Sequence, residues 1–243
     1  MLWEKACGNN SDYSVFNDNY SNLKGYNADA DLNLGCGLPT EYAGIKPGDS
    51  VLDLGSGAGN DCFVARSIVG ETGNVTGLDF TNEMLTKASE NLKKTIFKNV
   101  KFVLGDIENM PLSDNSYDVV ISNCVLNLVP DKQKAFNEIF RVLKSSGHFC
   151  ISDVVLSGVL PEGLKSAAEM YAGCVSGALQ KDEYLKVIQN TGFMEIKIHK
   201  EKQIIVPDNI LKNYLSEKEL ANFKNSGVGI FSITITANKQ FDE

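Results

Sequence analysis

Val51-Leu52-Asp53-Leu54-Gly55-Ser56-Gly57-Ala58-Gly59 is a short apolar strand that runs directly into a glycine loop. Helical spacing follows at once, from Asp61 to Ile68. Glycine at three alternate positions lets the backbone turn sharply and lets a ligand approach closely, as a strand–loop–helix cradle requires. A tight connection without a ligand is the competing account of the glycines taken by themselves.

Downstream, strands and helices alternate. The turn Gly70-Glu71-Thr72-Gly73 precedes a second strand, Asn74 to Asp79. Thr81 opens a helix, which good helix formers extend to Lys94. Val100 to Leu104 is a third strand. Tyr117 to Ser122 is a fourth, and its almost unbroken apolar run marks it as central. A helix over Lys132 to Leu143 ends at Lys144-Ser145-Ser146-Gly147, and His148 to Val154 forms a fifth strand. This order predicts a parallel sheet with helices on both faces. Farther on, Pro161 to Cys174 and Lys181 to Thr191 read as helices. Glu195 to Val206 and Gly229 to Ala237 alternate as strands do, bringing the sheet to seven. Upstream, the turn Lys46-Pro47-Gly48-Asp49 divides a polar arm, residues 1–45, from a domain over 46–243. The arm is expected to be irregular, with a short helix at 38–44, and to act as a lid on the substrate site. Residues 157–243 are expected to carry a substrate-site helix and the closing strands.

Composition narrows the partners. A net charge of -8, from 23 Lys and Arg against 31 Asp and Glu, disfavours nucleic acid and anionic membrane surfaces. No apolar stretch approaches the roughly 20 residues of a membrane helix, and Met1 to Asn10 has no secretory core. The expected compartment is therefore the cytoplasm, where thiols stay reduced. The six cysteines, at 7, 36, 62, 124, 150 and 174, include no Cys-x-x-Cys, so a zinc ribbon or thioredoxin-type motif does not fit.

Acidic residues around the loop define its ligand. The spacing is Gly55-x-Gly57-x-Gly59, not the Gly-x-Gly-x-x-Gly of dinucleotide sites, and Asp53 stands two residues before the first glycine. A carboxylate there opposes a pyrophosphate and suits a positively charged group, unless it only caps the loop. Asp79, at the end of the second strand and followed by Phe80, can accept ribose hydroxyls; helix capping is the alternative, but Thr81 can fill that role. Asp106 and Ile107 follow the third strand, where one can accept an adenine amino group and the other pack on the ring, unless they form only a surface turn. Together Asp53-x-Gly55-x-Gly57-x-Gly59, Asp79 and Gly105-Asp106-Ile107 resemble the ordered motifs of class I methyltransferases, over about residues 46 to 156. That resemblance implies S-adenosylmethionine as cofactor, with its methionine end over the glycine loop and near Asn123. The fold it implies is a Rossmann-like α/β sheet of seven mostly parallel strands, the last antiparallel.

Cys36, Cys124 and Cys174 are the candidate substrate-site residues. Any one of them alone reads equally well as a small buried hydrophobe, as do Cys62 in a helix and Cys150 in a strand. In context, Gly35-Cys36-Gly37, Asn123-Cys124-Val125-x-Asn127-Leu128-x-Pro130-Asp131-Lys132 and Gly173-Cys174-x-x-Gly177-Ala178 resemble the three cysteine motifs of the arsenite methyltransferase family, and the glycines suit close approach of a ligand. The resemblance implies that these three thiolates ligate trivalent arsenic, taken up as arsenite or its thiol conjugate, and that an external thiol such as thioredoxin or glutathione restores the trivalent state. It also implies an upstream cysteine able to form a disulfide during turnover. Cys7 occupies that place, but its flanking residues depart from the pattern. Two other readings stay open: a carbon or oxygen methyltransferase of a quinone-like acceptor, and a non-catalytic thiol protein that sequesters arsenic or another soft metal.

Overall fold

Strands buried on both faces pair in parallel, and their side chains divide alternately between two cores. The computed structural model describes residues 18–161, 164, 175 and 177–240. After a one-turn helix α1 (Pro39–Tyr42), the chain forms β1 (Ser50–Leu54), α2 (Asn60–Val69), β2 (Asn74–Asp79), α3 (Asn82–Lys93) and β3 (Val100–Leu104). It continues through β4 (Tyr117–Asn123), α4 (Lys132–Val142), β5 (Leu143–Ser157), α5 (Lys181–Asn190) and β6 (Phe193–Ile204). The described part closes with α6 (Asp208–Leu211), α7 (Glu217–Asn225) and β7 (Gly229–Lys239).

The seven strands form one sheet in the order β3-β2-β1-β4-β5-β7-β6. The first five pair in parallel, whereas β7 runs antiparallel to both β5 and β6. The expected Rossmann-like architecture is therefore present, including the antiparallel last strand. Period-two alternation sorts the core. Leu52, Leu54, Val120, Phe149 and Ile151 pack with Phe136 of α4 and Tyr184 of α5. Val51, Val119, Ile121 and Cys150 pack with Phe63, Ala65 and Val69 of α2. Phe149 is the hinge of the first core: its ring lies 5.7 Å from Phe136 and 4.8 Å, edge-on, from Phe193.

Several local expectations change. The helix expected to end at Lys144 to Gly147 closes at Val142, and the strand expected from His148 begins at Leu143, which pairs with Tyr117, so the chain passes from helix to extended backbone at once. Residues 207–228 carry two helices that periodicity did not suggest. The longer, α7, starts with a reciprocal capping box between Ser216 and Glu219. The helix expected over Pro161 to Cys174 lies mostly outside the described residues. Among the described residues no helix is long and apolar enough to cross a membrane.

Phe149 is fully buried, so Phe149→Ala should cost about 3–5 kcal/mol, measured as a lower urea midpoint at unchanged slope.

Candidate active site

Parallel register gathers the functional loops on one edge. Leu54 pairs with Leu78 on one side and Ser122 on the other, so Gly55, Asp79 and Asn123 each follow the same line across the sheet. Between them opens a cleft of about 690 Å³, a size typical of small-molecule sites.

The loop after β1 takes its shape from glycine. Gly55 and Gly57 have φ of 68° and 51°, left-handed values that side chains with a Cβ disfavour. The Gly55 and Ser56 N–H groups both donate to the Leu78 carbonyl, at 2.8 and 3.0 Å. Asp79 secures the other side of the loop. Its Oδ2 accepts the Gly57 N–H at 3.0 Å, and its Oδ1 accepts the Thr81 N–H and hydroxyl, each at 2.9 Å. Thr81 does occupy the N-cap position of α3, but its hydroxyl is turned to Asp79 and makes no capping bond. A carboxylate offers about four acceptor sites. Asp79 would thus share a ribose with the loop amide and would not give both oxygens to the sugar alone. Asp106 Oδ1 accepts the Glu108 N–H at 2.9 Å. Ile107 is buried and Phe80 largely exposed, and both line the cleft.

Charge in the cleft is one-sided. Asp31, Asp53, Asp61, Asp79, Asp106 and Glu108 line it, and no Lys, Arg or His does among the described lining residues. A phosphate-bearing nucleotide would be repelled, whereas a nucleoside with a cationic tail fits. Asp53 lies deeper than its expected role beside a positively charged group would suggest: it is 2% exposed and its Oδ2 accepts the Cys62 thiol at 3.2 Å. Burial, and then the nearby Asp61 charge, push its carboxyl well above the usual range.

Asp61 and Tyr20 form a part of the site that the sequence did not mark for a role. The Tyr20 hydroxyl lies 3.0 and 2.9 Å from the two Asp61 oxygens and donates to them. The Asn123 Nδ2 donates to the Tyr20 oxygen at 2.5 Å. Burial pushes Asp61 up to about 6, against the opposing effect of the Tyr20 and Asn123 hydrogen bonds. Asp61 had no role of its own in the sequence reading, although Asp61-Cys62 after the glycine loop resembles the arsenite methyltransferase pattern. Tyr20 sits in a polar arm with no such signal.

Two of the three expected arsenic ligands, Cys36 and Cys124, belong to one apolar cluster, and of the two Cys124 alone lines the cleft. Cys124, 8% exposed, lines the cleft and packs in the same cluster as Cys36. Its backbone is left-handed, φ 60°, with its N–H on the Ser152 carbonyl at 2.8 Å. The Cys36 N–H donates to Asn123 Oδ1 at 3.0 Å, and its carbonyl accepts the Ser232 hydroxyl. Cys174 and Cys7 lie outside the described residues. The glycines beside Cys36, expected to admit a ligand, admit protein instead. A Cβ on Gly35 would stand 2.7 Å from the Asn123 amide nitrogen, and one on Gly37 would collide with Ser152.

A family model described as a methyltransferase domain matches residues 45–192. The chain belongs to the methyltransferase-domain family. An arsenite methyltransferase from Halobacterium salinarum is 46% identical over 182 residues, covering 72% of this chain and 46% of that one. A crystal structure of an arsenic (III) S-adenosylmethionine methyltransferase from Chlamydomonas reinhardtii matches with a TM-score of 0.72 at 34% identity, over 85% of this chain and 68% of that one. A ubiquinone/menaquinone biosynthesis C-methyltransferase from Citrobacter koseri is 34% identical over 133 residues, covering 54% of this chain and 52% of that one. The chain spans about half the length of the curated relatives it matches.

For this methyltransferase-domain chain, the raised Asp61 carboxyl has a measurable signature. Its folded pKa of about 6 lies above the ordinary 3.8, so the folded state holds the proton more tightly than the unfolded state. Stability contributed by the protonated form is present below about pH 4 and lost as pH rises through about 6. Relative to Asp61→Asn, which does not titrate, the native chain should therefore lose up to about 3 kcal/mol across that window. Urea titrations of both proteins at several pH values measure the difference, and a flat difference contradicts it.

Proposed function

We propose that the chain transfers methyl groups from S-adenosylmethionine to trivalent arsenic held by the thiolates of Cys36, Cys124 and Cys174. One observation carries the reading: a cleft lined, among the described residues, by six carboxylates and no basic side chain ends on Cys124, with Cys36 packed in the same cluster. The names of the arsenic-methylating relatives support it.

S-adenosylmethionine, when bound, supplies an electrophilic methyl on a positively charged sulfur. Gly55 and Gly57 would give it a backbone surface without side chains, and Asp79 would take the ribose; Gly59, expected beside them, is not among the residues lining the cleft, and a Cβ there would stand 2.8 Å from Phe102. Phe80, Asp106 and Ile107 hold the adenine end. Asp53, Asp61 and Asn123 face the methionine end, where buried carboxylates favour an ammonium. Trivalent arsenic is soft and prefers thiolates, and three of them leave its lone pair directed outward toward the methyl. No proton leaves the nucleophile, so no general base is required. The two histidines are engaged elsewhere: His148 Nε2 bonds the Ala43 carbonyl, and His199 bonds Thr236 and stacks on Tyr42. The protein contributes proximity and orientation. Each methylation formally oxidises arsenic, so an external thiol, such as thioredoxin or glutathione, completes the cycle, and a reducing cytoplasm is the compartment this chemistry needs.

The test is incubation with arsenite, S-adenosylmethionine and a thiol, followed by separation of arsenic species. Wild type should yield methylated arsenicals, and each of Cys36→Ser, Cys124→Ser and Cys174→Ser should lose about 100-fold or more in the first or second step. A wild-type protein that binds the cofactor but makes no methylated arsenic refutes the substrate. Retained activity of the cysteine variants on a quinone-like acceptor would favour the carbon methyltransferase reading that the Citrobacter relative represents. Calorimetry provides a second check: Asp79→Ala should weaken S-adenosylmethionine binding about 10- to 100-fold, whereas a protein that only sequesters arsenic would show no cofactor binding to lose.

A further inference from the structure

Asn123 is bonded more extensively than the end of a strand requires. Its Oδ1 accepts the Cys36 N–H at 3.0 Å, and its Nδ2 donates to the Gly37 carbonyl at 2.9 Å. A single carboxamide thus spans the backbone on both sides of the Cys36–Gly37 peptide. Its orientation is fixed by these partners: turned over, it would set N–H against N–H and oxygen against oxygen. Tyr20 and Asp61 meet the same nitrogen, with the Tyr20 oxygen 2.5 Å and Asp61 Oδ2 3.4 Å from Nδ2, and the Tyr20 hydroxyl also lies 3.2 Å from the Gly37 carbonyl. Gly35 has no Cβ to push the amide away. The next residue in the chain is Cys124, so a shift of Asn123 relative to the loop is a shift of one thiol relative to the other.

We propose that Asn123 is the positioning residue for Cys36: its carboxamide clamps the Gly35–Gly37 loop to the end of β4 and so sets the spacing between the Cys36 and Cys124 thiols. The proposal rests on the arsenic reading only for its purpose, because an arsenic atom bound by two thiolates accepts a narrow range of sulfur–sulfur spacing. The clamp itself can be tested without arsenic.

The first readout is the alkylation rate of each cysteine by a maleimide, followed by mass spectrometry in the intact chain. Cys150, fully buried in β5, reports any global loosening. In Asn123→Ala the Cys36 rate should rise about tenfold or more, through local opening of its loop, while Cys150 stays protected. Asn123→Asp, which keeps the acceptor for the Cys36 N–H but sets an oxygen against the Gly37 carbonyl and Asp61, should show the same selective rise and covers the case in which the alanine variant does not fold. An unchanged Cys36 rate, or a rise shared equally by Cys150, overturns the clamp. The second readout is binding of phenylarsine oxide, whose arsenic takes two thiolates. Asn123→Ala should weaken it about as much as Cys36→Ser, and the double variant should be no weaker than Cys36→Ser alone. Additive losses overturn the proposal. If wild-type binding is indifferent to Cys36→Ser, Cys36 is not one of the two thiolates that take the probe and the purpose given for the clamp fails, while the alkylation rates still decide on the clamp itself.

Discussion

Parallel pairing of β1 with both β2 and β4 is the constraint from which the site follows. From β1 the chain winds outward through β2 and β3, then returns to place β4 on the other flank of β1. At that reversal the loops leaving β1 and β4 diverge to opposite faces, and a crevice opens between them. The glycine loop occupies one wall and Asn123-Cys124 the other. The register of Leu54 with Leu78 and Ser122 makes the two walls level, so no loop has to reach far to contribute.

The edge so formed stores unfavourable interactions. Burial and the Asp61 charge raise the proton affinity of Asp53, burial and the Asp31 charge raise that of Asp61, and the hydrogen-bond partners of the pair are a thiol, a phenol and a carboxamide, none of them a cation. Cys124 adds backbone strain, since left-handed φ costs a side-chain-bearing residue about 1–2 kcal/mol. Such arrangements persist where the surrounding sheet can over-determine them. Here the parallel core, with Phe149 between Phe136 and Phe193, provides that rigidity.

What the sequence revealed was what is encoded locally. The glycine loop, Asp79 and the β-α alternation are contiguous patterns, and each appears where expected. The start of β5 was misplaced because Lys144-Ser145-Ser146-Gly147 has turn composition, yet pairing of Leu143 with Tyr117 keeps it extended. The α7 helix was overlooked, although Ser216-x-x-Glu219 is a readable start signal. The Tyr20–Asp61–Asn123 network was out of reach for a different reason. Tyr20 and Asn123 are 103 residues apart, and only tertiary structure brings a phenol from a polar arm to the end of β4. The glycines around Cys36 show the same limit: their composition suggested room for a ligand, but the space belongs to Asn123 and Ser152.

The position of β7 bears on how the molecule is made. This strand, last of the seven to leave the ribosome, slots between β5 and β6, and β6 has β7 as its sheet neighbour. Throughout synthesis of the preceding segments, one side of β5 therefore presents an unsatisfied ladder flanked by Phe149, Ile151 and Val155, the kind of edge that recruits other chains. Vectorial folding can complete the nucleoside half early, but this edge stays adhesive until β7 arrives, and chaperone protection would matter most in that interval.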